Sequence, residues 1–188
     1  MTAVARTFPA TAEPADAAAA HAARLRACFQ HIASTRMAGL PICNPALGVA
    51  VPALLPFQGE WLGALVTPWA ISLVLLPGEG TRFRAIGVGD SQDWDFPSGR
   101  YSFLGHQEAD LGAYQTCSLA SPVFEFADQA AAETFALAAL EALLRNEEDG
   151  GAARAHDARE AARLAGLPAA AAPVSRRAFL RGALFGGR

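Results

Sequence analysis

WLGALVTPWAISLVLLPG, residues Trp61–Gly78, is almost wholly apolar, yet Pro68 breaks it in the middle and Pro77-Gly78 closes it. A bilayer-spanning helix needs about 20 consecutive apolar residues, so this interrupted run is too short to be one. Leu65, Val66 and Thr67 precede the proline, and Trp69, Ile71, Leu73 and Leu75 follow at alternate positions, with Leu76 ending the run. β-Branched and aromatic residues at that period predict two buried strands. The same punctuation continues on both sides, at Pro52, Pro56, Gly59, Pro77-Gly78-Glu79-Gly80, Gly87 to Asp90 and Pro97-Ser98-Gly99. Strands are therefore expected at about Val49–Leu54, Leu62–Thr67, Trp69–Leu76, Phe83–Val88, Gly99–Leu104 and Ala113–Leu119. The intervals are too short for the crossover helices that parallel strands require, so the sheet should be mostly antiparallel.

Helical spacing flanks this block. Leu25, Phe29 and Ile32 share one face of a helix expected over Ala17–Arg36, with Asp16 placed to cap it, and Gly39 and Pro41 end it. Asn44-Pro45 reads as a turn, because Asn hydrogen-bonds its own backbone and Pro fixes the next φ. A second helix is expected over Ala127–Asn146, Asp128 in its first turn and Arg145 in its last, with Phe126, Ala130, Leu137, Leu140 and Leu144 facing the sheet. The fold class is thus α+β: one domain over 16–146, a mostly antiparallel sheet packed on a long C-terminal helix and flanked by an N-terminal one. Residues 1–15 read as a disordered arm. Residues 147–188 read as a flexible linker and tail, with a short helix at Ala152–Leu164 and an Ala-Pro stretch at Pro168–Pro173.

The 188 residues suit one domain with a proper core. A net charge of −3 gives no broad positive field, which argues against nucleic acid as a partner, and neither a membrane surface nor direct membrane insertion is supported. Every one of the 15 Lys+Arg residues is Arg. Cys28, Cys43 and Cys117 are odd in number and widely spaced, so they predict reduced thiols, not disulfides or a thiolate metal site. With no secretory signal in residues 1–20, a cytoplasmic protein is expected.

WLGALVTPWAISLVLLPG, PSGRYSFLG at Pro97–Gly105 and YQTCSLASPVFEFADQAAA at Tyr114–Ala132, together with NPAL at Asn44–Leu47 and SRRAFLRG near the end, resemble the HybE/HupJ family of [NiFe]-hydrogenase assembly chaperones. The likeness runs over most of 44–144 plus the tail. It implies an accessory chaperone, not an enzyme, that binds precursor subunits in the cytoplasm. The expected partners are the small-subunit precursor and its twin-arginine signal peptide, then the large subunit and other maturation proteins. Some relatives carry a fused rubredoxin domain, which needs paired CxxC motifs; this chain has none, so no iron, other metal or cofactor is expected.

Several residues are candidates for that role, each with a plainer reading beside it. Ser175, Arg176, Arg177, Phe179, Leu180 and Arg181 match the twin-arginine consensus, Arg181 standing for its Lys. An internal copy of the signal would occupy the chaperone's own binding groove; a basic amphipathic end is the alternative. Trp61, Trp69, Trp94, Tyr101 and Tyr114 are candidates for a peptide surface, or core residues at alternating strand positions. Phe124, Glu125 and Phe126 lie between the last strand and the main helix, where a carboxylate between two aromatics could receive an arginine; Glu125 reads equally as a carboxylate at a helix start. Two other functions stand as alternatives: a small cofactor-free thiol enzyme using Cys117, with His106, Asp110 or Asp128 as helpers, or using the acidic stretch 90–95; and a scaffold that recruits partners through its tail. Asp90, Asp93 and Asp95 otherwise read as a solvated loop.

Overall fold

The computed structural model describes residues 14–145, so residues 1–13 of the expected arm, the linker, the short helix 152–164 and the twin-arginine-like tail lie outside the described residues, while Pro14 and Ala15, expected to belong to the arm, open the first helix instead. In chain order the elements are α1 (Pro14–Ser34), β1 (Ala50–Phe57), β2 (Glu60–Val66), β3 (Ile71–Leu76), β4 (Ser91–Phe96), β5 (Gly99–Glu108), β6 (Gly112–Ala120) and α2 (Gln129–Leu144). The six strands form one antiparallel sheet in the order β1-β2-β3-β6-β5-β4. The α+β class, the antiparallel sheet and the two helices are as the sequence predicts.

Trp61–Gly78 folds as expected, into β2 and β3 joined across Thr67–Ala70, where the Thr67 hydroxyl donates to Ala70 O at 2.7 Å and accepts from Ala70 N at 3.0 Å. β1 turns into β2 through Gln58 and Gly59, both at positive φ (52° and 83°), the backbone twist a two-residue hairpin demands. Residues with Leu62, Leu73 and Cys117 face α2 on the inner side; those with Leu65, Val74 and Tyr114 face α1 on the outer side. The sheet curls, so its edge strands meet at one end. Phe57 stacks on Phe96 at 4.7 Å, and Gln58 Nε2 donates to Asp95 O at 3.2 Å.

Three expectations need correction. Residues 83–88 form no strand but part of an irregular crossover that carries the chain from β3 to the far edge. The acidic stretch read as a loop contains β4 instead, with Gln92, Trp94 and Phe96 buried and Asp93 and Asp95 exposed. Finally, α2 buries Ala132, Ala136, Ala139, Leu140 and Leu143, whereas Ala130 and Leu137 face outward. Small alanines let the helix backbone approach the sheet closely, and that set the face. Asp128 is the N-cap of α2, its carboxylate accepting from Ala131 N at 2.8 Å.

Candidate functional site

Three sequence stretches meet around one buried amide at the end of the sheet where β2 turns into β3 and β6 leaves for α2. Asn44 is 6% exposed. Its Nδ2 donates to Val123 O at 3.0 Å and to Phe126 O at 2.9 Å, its Oδ1 accepts from Ala46 N at 2.9 Å, and its backbone N donates to Pro68 O at 2.7 Å. The expected Asn44-Pro45 turn is therefore present, but the amide does more, binding residues about eighty positions away. Ser121 Oγ adds a bond to Trp69 O at 3.2 Å, and Gln129 Oε1 accepts from Gly48 N at 2.8 Å.

Among the described residues, three of the five exposed large apolar side chains lie at this end, Leu40 (43% exposed), Ile42 (42%) and Phe124 (54%), with Trp69 half-buried near them; Val88 and Leu137 lie elsewhere. Exposed Glu125 stands beside Phe124, while Phe126 turns inward against Phe135 at 5.2 Å. The segments that build this end, 37–49, 66–72 and 119–132, contain no Arg, Lys or His, but do contain Glu125 and Asp128. The surface is thus apolar with an anionic margin, suited to a cationic, apolar segment.

The candidate residues divide accordingly. Trp69, Phe124, Glu125 and Phe126 gather here. Trp61 and Tyr114 lie beneath α1 instead: Trp61 packs on His21 at 5.0 Å, and Phe29 lies edge-on to Tyr114 at 5.9 Å and stacked on Trp69 at 6.4 Å. Tyr114 is 5% exposed and anchors the helix. Burial pushes its phenol pKa well up, with the Glu108 carboxylate adding to the rise, and burial likewise lowers the pKa of His21 and His106. His106 stacks on Tyr114 at 5.1 Å and bonds the Thr116 hydroxyl at 2.9 Å. Leu40, Ile42 and the hub role of Asn44 were not singled out by sequence reasoning; the NPAL string signalled Asn44 alone, and nothing local signalled Leu40 or Ile42.

The register separates the parts of a thiol site. Cys117 pairs with Leu73 on the inner face, 4% exposed, whereas His106 pairs with Tyr114 on the outer face. Asp95 is held by Arg100 at 2.7 Å, which keeps its carboxyl below the usual range, and Asp93 accepts from Ser102. Among the described residues no three His, Cys, Asp or Glu side chains gather to hold a metal, and no helix is long and apolar enough to cross a membrane.

The family model described as "[NiFe]-hydrogenase assembly, chaperone, HybE" matches residues 20–182. The chain is 34% identical over 160 residues to "Hydrogenase expression/formation protein HupJ" of Bradyrhizobium diazoefficiens, covering 85% of this chain and 86% of that one. It is 32% identical over 128 residues to "Probable rubredoxin HupJ" of Rhodobacter capsulatus, covering 68% of this chain but only 46% of that longer relative. The solution structure of HybE from Escherichia coli superimposes with a TM-score of 0.53 at 25% identity, over 66% of this chain and 76% of that one. By sequence and by fold, the chain belongs to the HybE family of [NiFe]-hydrogenase assembly chaperones.

Proposed function

We propose that this chaperone acts in the cytoplasm as a non-enzymatic holder of hydrogenase precursors, binding the small-subunit precursor through its twin-arginine signal at the Asn44 end and holding it until assembly is complete. The large subunit and other maturation proteins are its further partners. One observation supports this reading above the others: Phe124, Leu40 and Ile42 stand exposed beside Glu125 on a surface whose segments lack any cation. A signal carrying paired arginines followed by apolar residues complements both features. The tail residues Ser175–Arg181 repeat that chemistry and act as an internal competitor, weak in itself but high in effective concentration.

Calorimetric titration of the full chain and of a version ending at Pro173 with the small subunit's signal peptide tests this. Truncation should tighten binding, and Phe124→Ser with Glu125→Arg should abolish it in both. Failure of both versions to bind would remove the signal as client. Binding that survives the double substitution would move the site elsewhere.

A further inference from the structure

The crossover 77–90 has no regular secondary structure, yet its middle lies across the inner face of β4–β6, held by the sheet's side chains instead of by a neighbouring strand. Gln92 Nε2 donates to Arg82 O at 2.7 Å while its Oε1 accepts from Arg84 N at 3.1 Å. A carbonyl and the N–H two residues on are what one residue of a parallel strand would engage, so this side-chain amide takes the place of a strand. Gln115, fully buried, donates to Arg84 O at 2.9 Å and to Gln92 Oε1 at 2.9 Å, and accepts from the Trp94 indole at 2.8 Å. Glu60, 1% exposed, accepts from Gly78 N at 2.6 Å and Phe83 N at 3.1 Å.

These contacts read backbone, not sequence. The side chains they admit are specific: Phe83 packs against the inner core, and the Arg82 guanidinium lies 5.5 Å from the Trp94 ring centroid while bonding Gln58 at 2.5 Å. Little apolar area fixes the segment in place, since Thr81, Arg82, Arg84 and Ala85 are exposed and only Phe83 and Ile86 are half-buried. Glycines flank it at Gly78, Gly80, Gly87 and Gly89. Beneath it, Gly105 leaves room that any larger residue would fill, for a Cβ there would stand 2.5 Å from Ile86 Cγ1 and 2.7 Å from Gly87 O.

We infer that residues 81–86 are a built-in occupant of an extended-peptide groove, and that the external ligand this groove fits is an unfolded segment in which an arginine immediately precedes an aromatic residue. The hydrogen bonds to Gln92, Gln115 and Glu60 transfer unchanged from one backbone to another, so exchange costs mainly the socket of Phe83 and the stack of Arg82. The groove is a surface separate from the Asn44 end, and it stands whether or not the twin-arginine signal binds there.

A labelled peptide with the sequence of Thr81–Gly87, added to the full chain, is the probe. Phe83→Ser loosens the internal occupant and should tighten peptide binding, read by fluorescence anisotropy, on the order of tenfold. Adding Gln92→Ala to that variant should abolish it, and a peptide with Glu in place of Arg82 should not bind. Native-state amide exchange on the unmodified chain needs no variant: the Phe83 and Arg84 amides should exchange well ahead of Val74 and Cys117 in the central strands. Exchange of all four together would overturn the inference, as would a folded Phe83→Ser protein that ignores the peptide or one that binds the Glu peptide equally well. If the groove peptide fails these tests while the Phe83→Ser protein still binds the signal peptide, the failure is confined to this groove and the proposed function stands.

Discussion

Replacing Asn44 by Asp changes one nitrogen to oxygen and tests how the three stretches at that end are joined. The native amide spends both N–H bonds on Val123 O and Phe126 O and receives one from Ala46 N, in a site 6% exposed. Asn44→Ala removes all three and leaves buried carbonyls without a donor, a loss of about 2–4 kcal/mol at about 1 kcal/mol per net bond plus desolvation. Asn44→Asp keeps the shape but places a carboxylate oxygen against two carbonyl oxygens, adding about 1–2 kcal/mol of repulsion and buried charge. At about 4 °C per kcal/mol for a domain of this size, the melting temperature should fall by about 8–16 °C for Ala and further for Asp. Protonation restores one donor to the carboxyl, so the folded variant holds that proton more tightly than the unfolded chain. The added penalty should therefore be small at about pH 4 and grow as pH rises towards neutrality. Urea melts followed by tryptophan fluorescence and far-UV circular dichroism at both pH values decide the matter. Asn44→Asp equal to or milder than Asn44→Ala at neutral pH would refute the donor geometry, and with it the idea that this amide fixes the link that displays Phe124.

Glu60→Gln keeps one acceptor but turns an N–H donor toward the N–H of Gly78 or Phe83; equilibrium unfolding should register a loss of about 1.5–3 kcal/mol. On α2, Leu137→Glu should leave the melting temperature within a few degrees, whereas Ala136→Glu, at a fully buried position, should prevent folding. The folded state holds the pKa of His21 and His106 below the unfolded value, by burial above all. The unfolded chain then takes up these protons first as pH falls. Their contribution is full above the unfolded pKa and lost as pH drops through the folded one, so the unfolding midpoint should decline from pH ~7.5 to pH ~5. His106→Gln should flatten that decline.

The fold was legible where hydrophobic period alone decides, as in the strands of Trp61–Leu76 and in Leu25, Phe29 and Ile32 of α1. Two failures have one cause. Phe83–Val88 has the composition of a strand but receives its hydrogen bonds from Gln92, Gln115 and Glu60 side chains, which no local pattern announces. SQDWDF alternates cleanly, yet three of its six residues are Asp or Gln, and burial of Gln92 in a polar network disguises the inward face. In α2 the expected face through Ala130, Leu137, Leu140 and Leu144 was right at Leu140 and Leu144 but wrong at Ala130 and Leu137, because Ala132, Ala136 and Ala139, which weigh little in a hydrophobicity pattern, lie against the sheet. Of the site, Phe124 to Phe126 could be singled out because a strand-to-helix link with two aromatics is conspicuous. The convergence of Pro68 on the Asn44 backbone N–H and of Val123 and Phe126 on its side-chain amide is a tertiary fact, visible only once the chain is folded.

The curled sheet leaves β1 as an edge, and that strand carries Pro52 and Pro56, with a register irregularity between Ala50 and Ala53. Each proline removes a donor that a docking strand would use. The opposite edge is β4, whose outward Asp93 and Asp95 are charged and whose tip is occupied by Gln58. A protein that works beside unfinished, sticky chains runs the risk of being drawn into their aggregates by strand addition. Both borders of this sheet resist that, so an exposed strand of another protein finds no template here on which to polymerise.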